Sequence, residues 1–242
     1  MRLTPTLNRQ TLAEQIARAL LDGIHVNKLA PGDTLPSTAE LASEFGVSRS
    51  VIREALKTLE GQEAIEITNG RNAVVKAVTS ASLFQFFQRA IPDRQRLTIE
   101  VLEVRRGLEI QTAYLAALRH EPAEIDQLET LIREMKAKLD DPEAYAELDL
   151  QFHLSLASIT RNSLLYYLVE SIRNVLKDTI QEGLRSRLDA QAMIRVQSLH
   201  EDLLTELKNG DGDGASRAMA LHFDDAINAI IYSIDQDTYL AD

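Results

Sequence analysis

The chain has no cysteine, so it can hold neither a disulfide framework nor a thiolate metal site. No apolar run reaches the roughly 18 residues that span a bilayer, so no membrane partner is expected. The opening stretch, MRLTPTLNRQ, lacks the apolar core of a signal peptide. No internal repeat or low-complexity tract stands out in the 242 residues. Positive charge is also short, with 26 Lys and Arg against 37 Asp and Glu, a formal net charge of −11. These absences, with 45% hydrophobic and 26% charged residues, predict a globular cytoplasmic protein with a proper core.

The charge is unevenly spread. Residues 1–78 carry nine basic and nine acidic side chains, whereas residues 79–242 carry 17 basic against 28 acidic and account for the whole deficit. Attraction to phosphate needs a local positive field, so any nucleic-acid contact belongs to the first third.

That first third mixes helix and strand signals. TLAEQIARALLDG reads as a helix with a Thr11–Glu14 capping box and Gly23 as its stop. PSTAELASEFG reads as a second helix capped by Ser37 and Glu40 and ended by Gly46. A third begins after Ser48 and buries Val51, Ile52, Leu56 and Leu59. The period then falls to two, and AIEIT, a turn at Asn69-Gly70 and AVVKA predict a hairpin. From Ser80 onward the pattern is helical. Segments near 80–91, 96–120, 122–140, 142–161, 163–187, 190–208 and 213–234 predict an antiparallel bundle. The fold class is therefore mainly α: a winged helix-turn-helix in residues 1–78 and an all-α antiparallel helical bundle in residues 79–242.

The stretch GVSRSVIREALKTLE sets Arg49, Arg53 and Lys57 on one helical stripe. A solvated face paired with Glu54 and Glu60 is one reading. The other is a recognition helix, because Ala42, Gly46 and Ile52 fall at the sterically restricted positions of a helix-turn-helix. On that reading Arg49, Ser50 and Arg53 face the major groove, and Ser48 offers hydroxyl and backbone N–H contacts to phosphate. The hairpin tip Asn69-Gly70-Arg71 forms a wing that reaches the DNA backbone or minor groove.

LAPGDTLPSTAELASEFGVSRSVIREALKTLE and the wing ITNGRNAVV resemble the N-terminal winged helix of GntR-family bacterial transcription regulators. The acidic helical remainder resembles the ligand-binding domain of that family's fatty-acid-regulator-like branch. The resemblance implies DNA contacts at Arg49, Arg53, Asn69, Gly70 and Arg71, and Ser37, Ser48 and Ser50 complete the candidate DNA-binding set. It departs from the family pattern at Ala39, where an arginine contact is missing, at Glu63-Ala64 in place of Gly-Leu, and at Asn72 in place of the wing's second glycine.

Three of the five histidines keep suggestive company. ELDLQFHLSL puts Asp149 and His153 four apart on one helix face, QSLHEDLL supplies His200, and MALHFDDA supplies His222. Taken singly, each histidine reads more readily as a hydrogen-bonded core residue than as a ligand, and Asp149–His153 equally as a helix-face ion pair. As a set, four N/O ligands without sulfur suit zinc, nickel, cobalt or manganese. The resemblance supplies the set, since the family's ligand domain carries an Asp-x3-His pair and two later histidines in this order; zinc is the first choice. It also implies a small organic-acid effector, contacted by Arg105 of the Glu103-x-Arg105-x-x-Leu108-Glu109 motif and by Arg173 and Arg195. A salt bridge from Arg105 to Glu109 at i+4 fits the same spacing equally well. His25 and His120 match nothing and are expected at the surface.

The expectation is a ligand-responsive, metal-assisted transcription regulator, a repressor by family habit, that binds a near-palindromic double-stranded operator as a homodimer and is not an enzyme. The rival from another class is a metal-dependent hydrolase using the Asp/His site.

Overall fold

The computed structural model describes residues 10–68, 71–90, 94–173 and 190–239. The chain divides into two compact units, Met1–Thr79 and Ser80–Asp242.

The first unit holds α1 (Leu12–Val26), α2 (Thr38–Phe45), α3 (Arg49–Gly61), β1 (Ile65–Glu66) and β2 (Val74–Val75). Capping boxes start α1 at Thr11 and α2 at Ser37, each with its glutamate three residues on, and the Ser48 hydroxyl caps α3. Gly23 does not stop α1. The helix runs on to Val26 because Ile24 continues the buried stripe of Ile16 and Leu20, and tertiary burial outweighs the low helix propensity of one glycine. Gly46 does end α2: its φ of 65° is left-handed, and its N–H donates to the Ala42 carbonyl. The resulting tight turn lets α3 cross α2 and bury Ile52 completely among Leu41, Leu59 and Ile65.

The hairpin pairs Ile65 with Val75 and Glu66 with Val74. Residues 32–35 join its other edge: the Gly32 N–H donates to the Val75 carbonyl at 2.9 Å and the Leu35 N–H to the Ala73 carbonyl at 2.8 Å. This third piece has no alternating pattern of its own and follows a Pro-Gly turn, so the sequence reads it as loop.

The second unit holds α4 (Ala81–Ala90), α5 (Arg94–Arg119), α6 (Pro122–Lys136), α7 (Pro142–Ile159), α8 (which includes residues 163–173), α9 (Ala190–Lys208) and α10 (Gly212–Tyr239). The expected continuation of α8 to 187 lies outside the described residues. Pro122 and Pro142 sit in the first turns of α6 and α7, where the missing N–H has no intrahelical partner to lose. α5 is central and packs on α7, α9 and α10. It runs antiparallel to α10, because Arg106 pairs with Asp224 whereas Gly212 abuts Tyr114. A Cβ at Gly212 would lie 2.8 Å from the Tyr114 ring, so only glycine lets the start of α10 come this close. The core of this unit gathers Leu128, Met135, Tyr145, Phe152, Leu156, Leu203, Met219 and Phe223.

Two substitutions separate backbone from packing effects in the first unit. Gly46→Ala meets open space but must hold a left-handed φ, which costs about 1 kcal/mol. Ile52→Ala leaves a cavity in a fully closed core and costs about 3 kcal/mol. Urea unfolding of each variant checks the order and the gap.

Candidate metal centre and nucleic-acid interface

Asp149 and His153 lie one turn apart on the inner face of α7, and α9 and α10 bring His200 and His222 against them. Each of the four offers a ligand atom, and these atoms all lie within 4.8 Å of one another. His153 and His200 are fully buried. Asp149 Oδ1 lies 3.0 Å from His200 Nε2 and 3.5 Å from His153 Nε2. These approaches are not aligned hydrogen bonds: Nε2 of His153, Nε2 of His200 and Nδ1 of His222 are buried without a hydrogen-bond partner, and Nδ1 of His153 meets only Glu109 Oε2. Unsatisfied polar atoms in a closed core are unfavourable unless something fills the space between them. A cation with nitrogen and oxygen preferences fits that requirement, and the sulfur-free set suits first-row divalent ions such as zinc, nickel or manganese.

Charged groups surround the four. Arg105 and Glu109 on α5 and Arg173 on α8 are also buried. Arg105 Nε and Nη2 reach Glu109 Oε1 at 2.9 and 2.8 Å, and Arg173 Nε approaches the same oxygen at 3.5 Å. Arg173 Nη2 donates to Asp149 Oδ2 at 3.1 Å. Glu109 Oε2 is in contact with His153 Nδ1. Burial by itself would raise the pKa of Glu109, but His153, Arg105 and Arg173 hold it well below the usual carboxylate range. Asp149 shows the same balance, with burial opposed by His153 and Arg173. Burial, with His200 and His153 alongside, pushes His222 well below the usual imidazole value and keeps it neutral, the form that binds a cation. Phe152 and Phe223 set ring edges against the histidines and close the apolar wall.

Of the three arginines expected to contact an effector, the structure brings Arg105 and Arg173 to the cluster, each already paired with a carboxylate. Arg195 is elsewhere: its side chain is 72% exposed and its Nε pairs with Asp225 Oδ1 at 2.8 Å. It precedes His200 on α9 by more than one turn and less than two, so the helical phase that points His200 inward carries Arg195 outward. His25 is exposed, and His120 is half-buried with Nδ1 2.9 Å from the Ala117 carbonyl oxygen. Glu109 joins the site although sequence reasoning placed it only as a partner for Arg105; its one signal was membership of the Glu103–Glu109 motif.

In the first unit, Arg49, Ser50, Arg53 and Lys57 are exposed on α3, while Ile52, Leu56 and Leu59 of the same helix are buried. Among the described residues the three cations make no ion pair, and Glu60 instead accepts the Ile67 N–H at 3.1 Å. Ser37 and Ser48 use their hydroxyls as helix caps, and Ser48 Oγ lies 2.7 Å from Ser50 Oγ. Arg71 is exposed beside the hairpin; Asn69 and Gly70 lie outside the described residues.

Residues 12–75 match the family of bacterial regulatory proteins, gntR family, and residues 100–225 match the FCD domain. The chain is 32% identical over 197 residues to the HTH-type transcriptional regulator LutR of Bacillus subtilis, covering 81% of this chain and 90% of that protein. It is 29% identical over 218 residues to the galactonate operon transcriptional repressor of Escherichia coli, covering 88% of this chain and 93% of that protein. Among solved structures it is similar to Streptococcus agalactiae GntR, with a TM-score of 0.75 at 25% identity over 90% of this chain and 100% of that one.

The buried and exposed arginines should respond oppositely to truncation. Arg105→Ala strips a buried carboxylate of a close partner and costs about 3 kcal/mol, whereas Arg195→Ala removes a guanidinium that is 72% exposed and costs below about 0.5 kcal/mol. Denaturant midpoints of the two variants check the contrast.

Proposed function

Since the chain belongs to the GntR family of bacterial regulatory proteins and carries an FCD domain, we propose that it is an effector-responsive repressor whose bundle holds a divalent metal through Asp149, His153, His200 and His222. The observation that carries the reading is the convergence of four ligand atoms, with His153 Nε2, His200 Nε2 and His222 Nδ1 buried without a hydrogen-bond partner. Zinc is the first choice, with nickel or manganese compatible with the same donors. A divalent ion held there supplies open coordination positions for an oxygen of a small carboxylate effector. Arg105 and Arg173 balance Glu109 and Asp149 in charge, so they offset the protein's own carboxylates and the added cation attracts the effector's.

Residues 1–78 form the DNA-binding head and residues 79–242 the effector-binding and dimerisation domain. Arg49, Ser50 and Arg53 enter the major groove of operator DNA, with Ser37, Ser48, Asn69, Gly70 and Arg71 on the flanking backbone. Two heads of a homodimer read the halves of a near-palindromic operator. Effector and operator affinities are then reciprocally linked, and effector binding releases the DNA. The similarity to the galactonate operon transcriptional repressor of Escherichia coli supports repression. This work belongs in the cytoplasm, and no helix among the described residues is long and apolar enough to cross a membrane.

The families and relatives are transcription regulators, not enzymes, and the hydrolase reading falls with that finding. The geometry agrees: Glu109, the extra carboxylate at the cluster, is tied to two arginines and a histidine and has no freedom to act as a base.

Two measurements test the proposal. Binding to double-stranded DNA should weaken steeply between about 50 and about 200 mM salt. Arg53→Ala should weaken it about tenfold. In a thermal-shift screen of organic acids, at least one should stabilise the metal-loaded protein and none the chelator-treated protein. Salt-independent DNA binding sinks the gene-control reading, and acids that stabilise both forms alike sink the metal-assisted one.

A further inference from the structure

The four candidate ligands leave one question of chemistry unsettled: a neutral imidazole binds a cation through one nitrogen only if the other carries the proton. For His200 the backbone decides, because Nδ1 lies 2.9 Å from the Val196 carbonyl oxygen, one turn back on α9, and so carries the proton. That leaves Nε2 bare, 3.0 Å from Asp149 Oδ1, two lone pairs whose repulsion a cation shared between them relieves. His153 has no such carbonyl. Its Nδ1 faces Glu109 Oε2, and its Nε2 faces Asp149 Oδ1, the same oxygen that His200 faces.

From this geometry we infer that Glu109 is the positioning residue of the centre: its Oε2 holds His153 in the Nδ1–H tautomer, so that Nε2 faces the space shared with Asp149 and His200. The inference rests on the proposed metal centre and adds a residue outside its four ligands. A lone pair pressed against a carboxylate oxygen is repulsive, so the nitrogen beside Oε2 is the one with the proton. The other oxygen of Glu109 is fully occupied. Arg105 grips Oε1 at 2.9 and 2.8 Å, Arg173 Nε lies 3.5 Å from it, and Arg105 itself sits 5.0 Å over the Phe223 ring. Each carboxylate oxygen therefore has one task, and the carboxylate cannot turn without leaving a buried guanidinium unmatched. Arg105 acts at one remove, as the residue that orients Glu109, rather than as an effector contact.

Glu109→Gln distinguishes this from a purely structural role. The arginines require an acceptor, so the amide oxygen takes the place of Oε1 and the amide nitrogen donates to His153 Nδ1. His153 is thereby forced into the Nε2–H tautomer, which cannot bind a cation from the shared space. Zinc affinity is measured by chelator competition for wild type, Glu109→Gln, His153→Ala and the double variant. The expected loss for Glu109→Gln is about 10- to 100-fold, with the double variant no weaker than His153→Ala alone. Cobalt substituted for zinc should show an altered visible spectrum in Glu109→Gln. Zinc affinity within about twofold of wild type, or losses that add in the double variant, overturns the inference, even if the metal-free melting point falls.

Should Glu109→Gln fail to fold, nitrogen-15 shifts of the zinc-loaded wild type decide directly. A protonated Nδ1 on His153 supports the inference, and a zinc-bound Nδ1 overturns it. Wild-type protein that takes up no zinc, nickel or manganese is a different result, because it overturns the metal centre itself.

Discussion

The second unit is organised around the cost of burying charge. Arg105, Glu109, Asp149 and Arg173 are all removed from water, and each would destabilise the fold severely on its own. They are tolerated because two cations meet two anions with short contacts, which requires α5, α7 and α8 to sit in one register. The imidazoles on α7, α9 and α10 extend the requirement to two more helices. A slip of one residue in any of them carries a polar side chain into apolar surroundings. The polar cluster therefore specifies the bundle's arrangement, and the apolar core of Phe152, Leu203 and Phe223 supplies its gross stability.

The first unit solves the opposite problem. Its charges stay in water, and what is buried is the neutral face of α3, with Ile52, Leu56 and Leu59. Among the described residues Arg49, Arg53 and Lys57 make no ion pair, and Glu60, one turn beyond Lys57, accepts the Ile67 N–H instead. A local positive stripe survives inside a chain of net charge −11 because exposed charges farther apart than about 10 Å are screened by salt.

Much of this was legible in the sequence because it is set by short-range rules. The capping boxes at Thr11 and Ser37, the left-handed Gly46 and the prolines heading α6 and α7 are local signals, and all have the expected structural roles. Where the reading departs from the structure, a long-range contact overrode the local signal. Gly23 looked like a stop but lies under a stripe that continues to Ile24. Residues 32–35 looked like loop but gain their pairing from β2, which lies far along the chain beyond α2 and α3. Arg195 had the residue type of an anion contact, but its helix phase points it to solvent, where it pairs with Asp225.

Helical periodicity fixes which residues share a face, so the order of residues was enough to divide a mixed head from a helical bundle, to space Asp149 against His153 and to lay the cationic stripe on α3. Packing in three dimensions had to add the rest. It brings His200 and His222 on α9 and α10 to the face that carries Asp149, joins Glu109 to them, and occupies Arg105 with a carboxylate of its own chain. The reason is geometrical: one helix's pattern says which side is inward, but the depth and rotation at which the helices meet follow from how their side chains interlock.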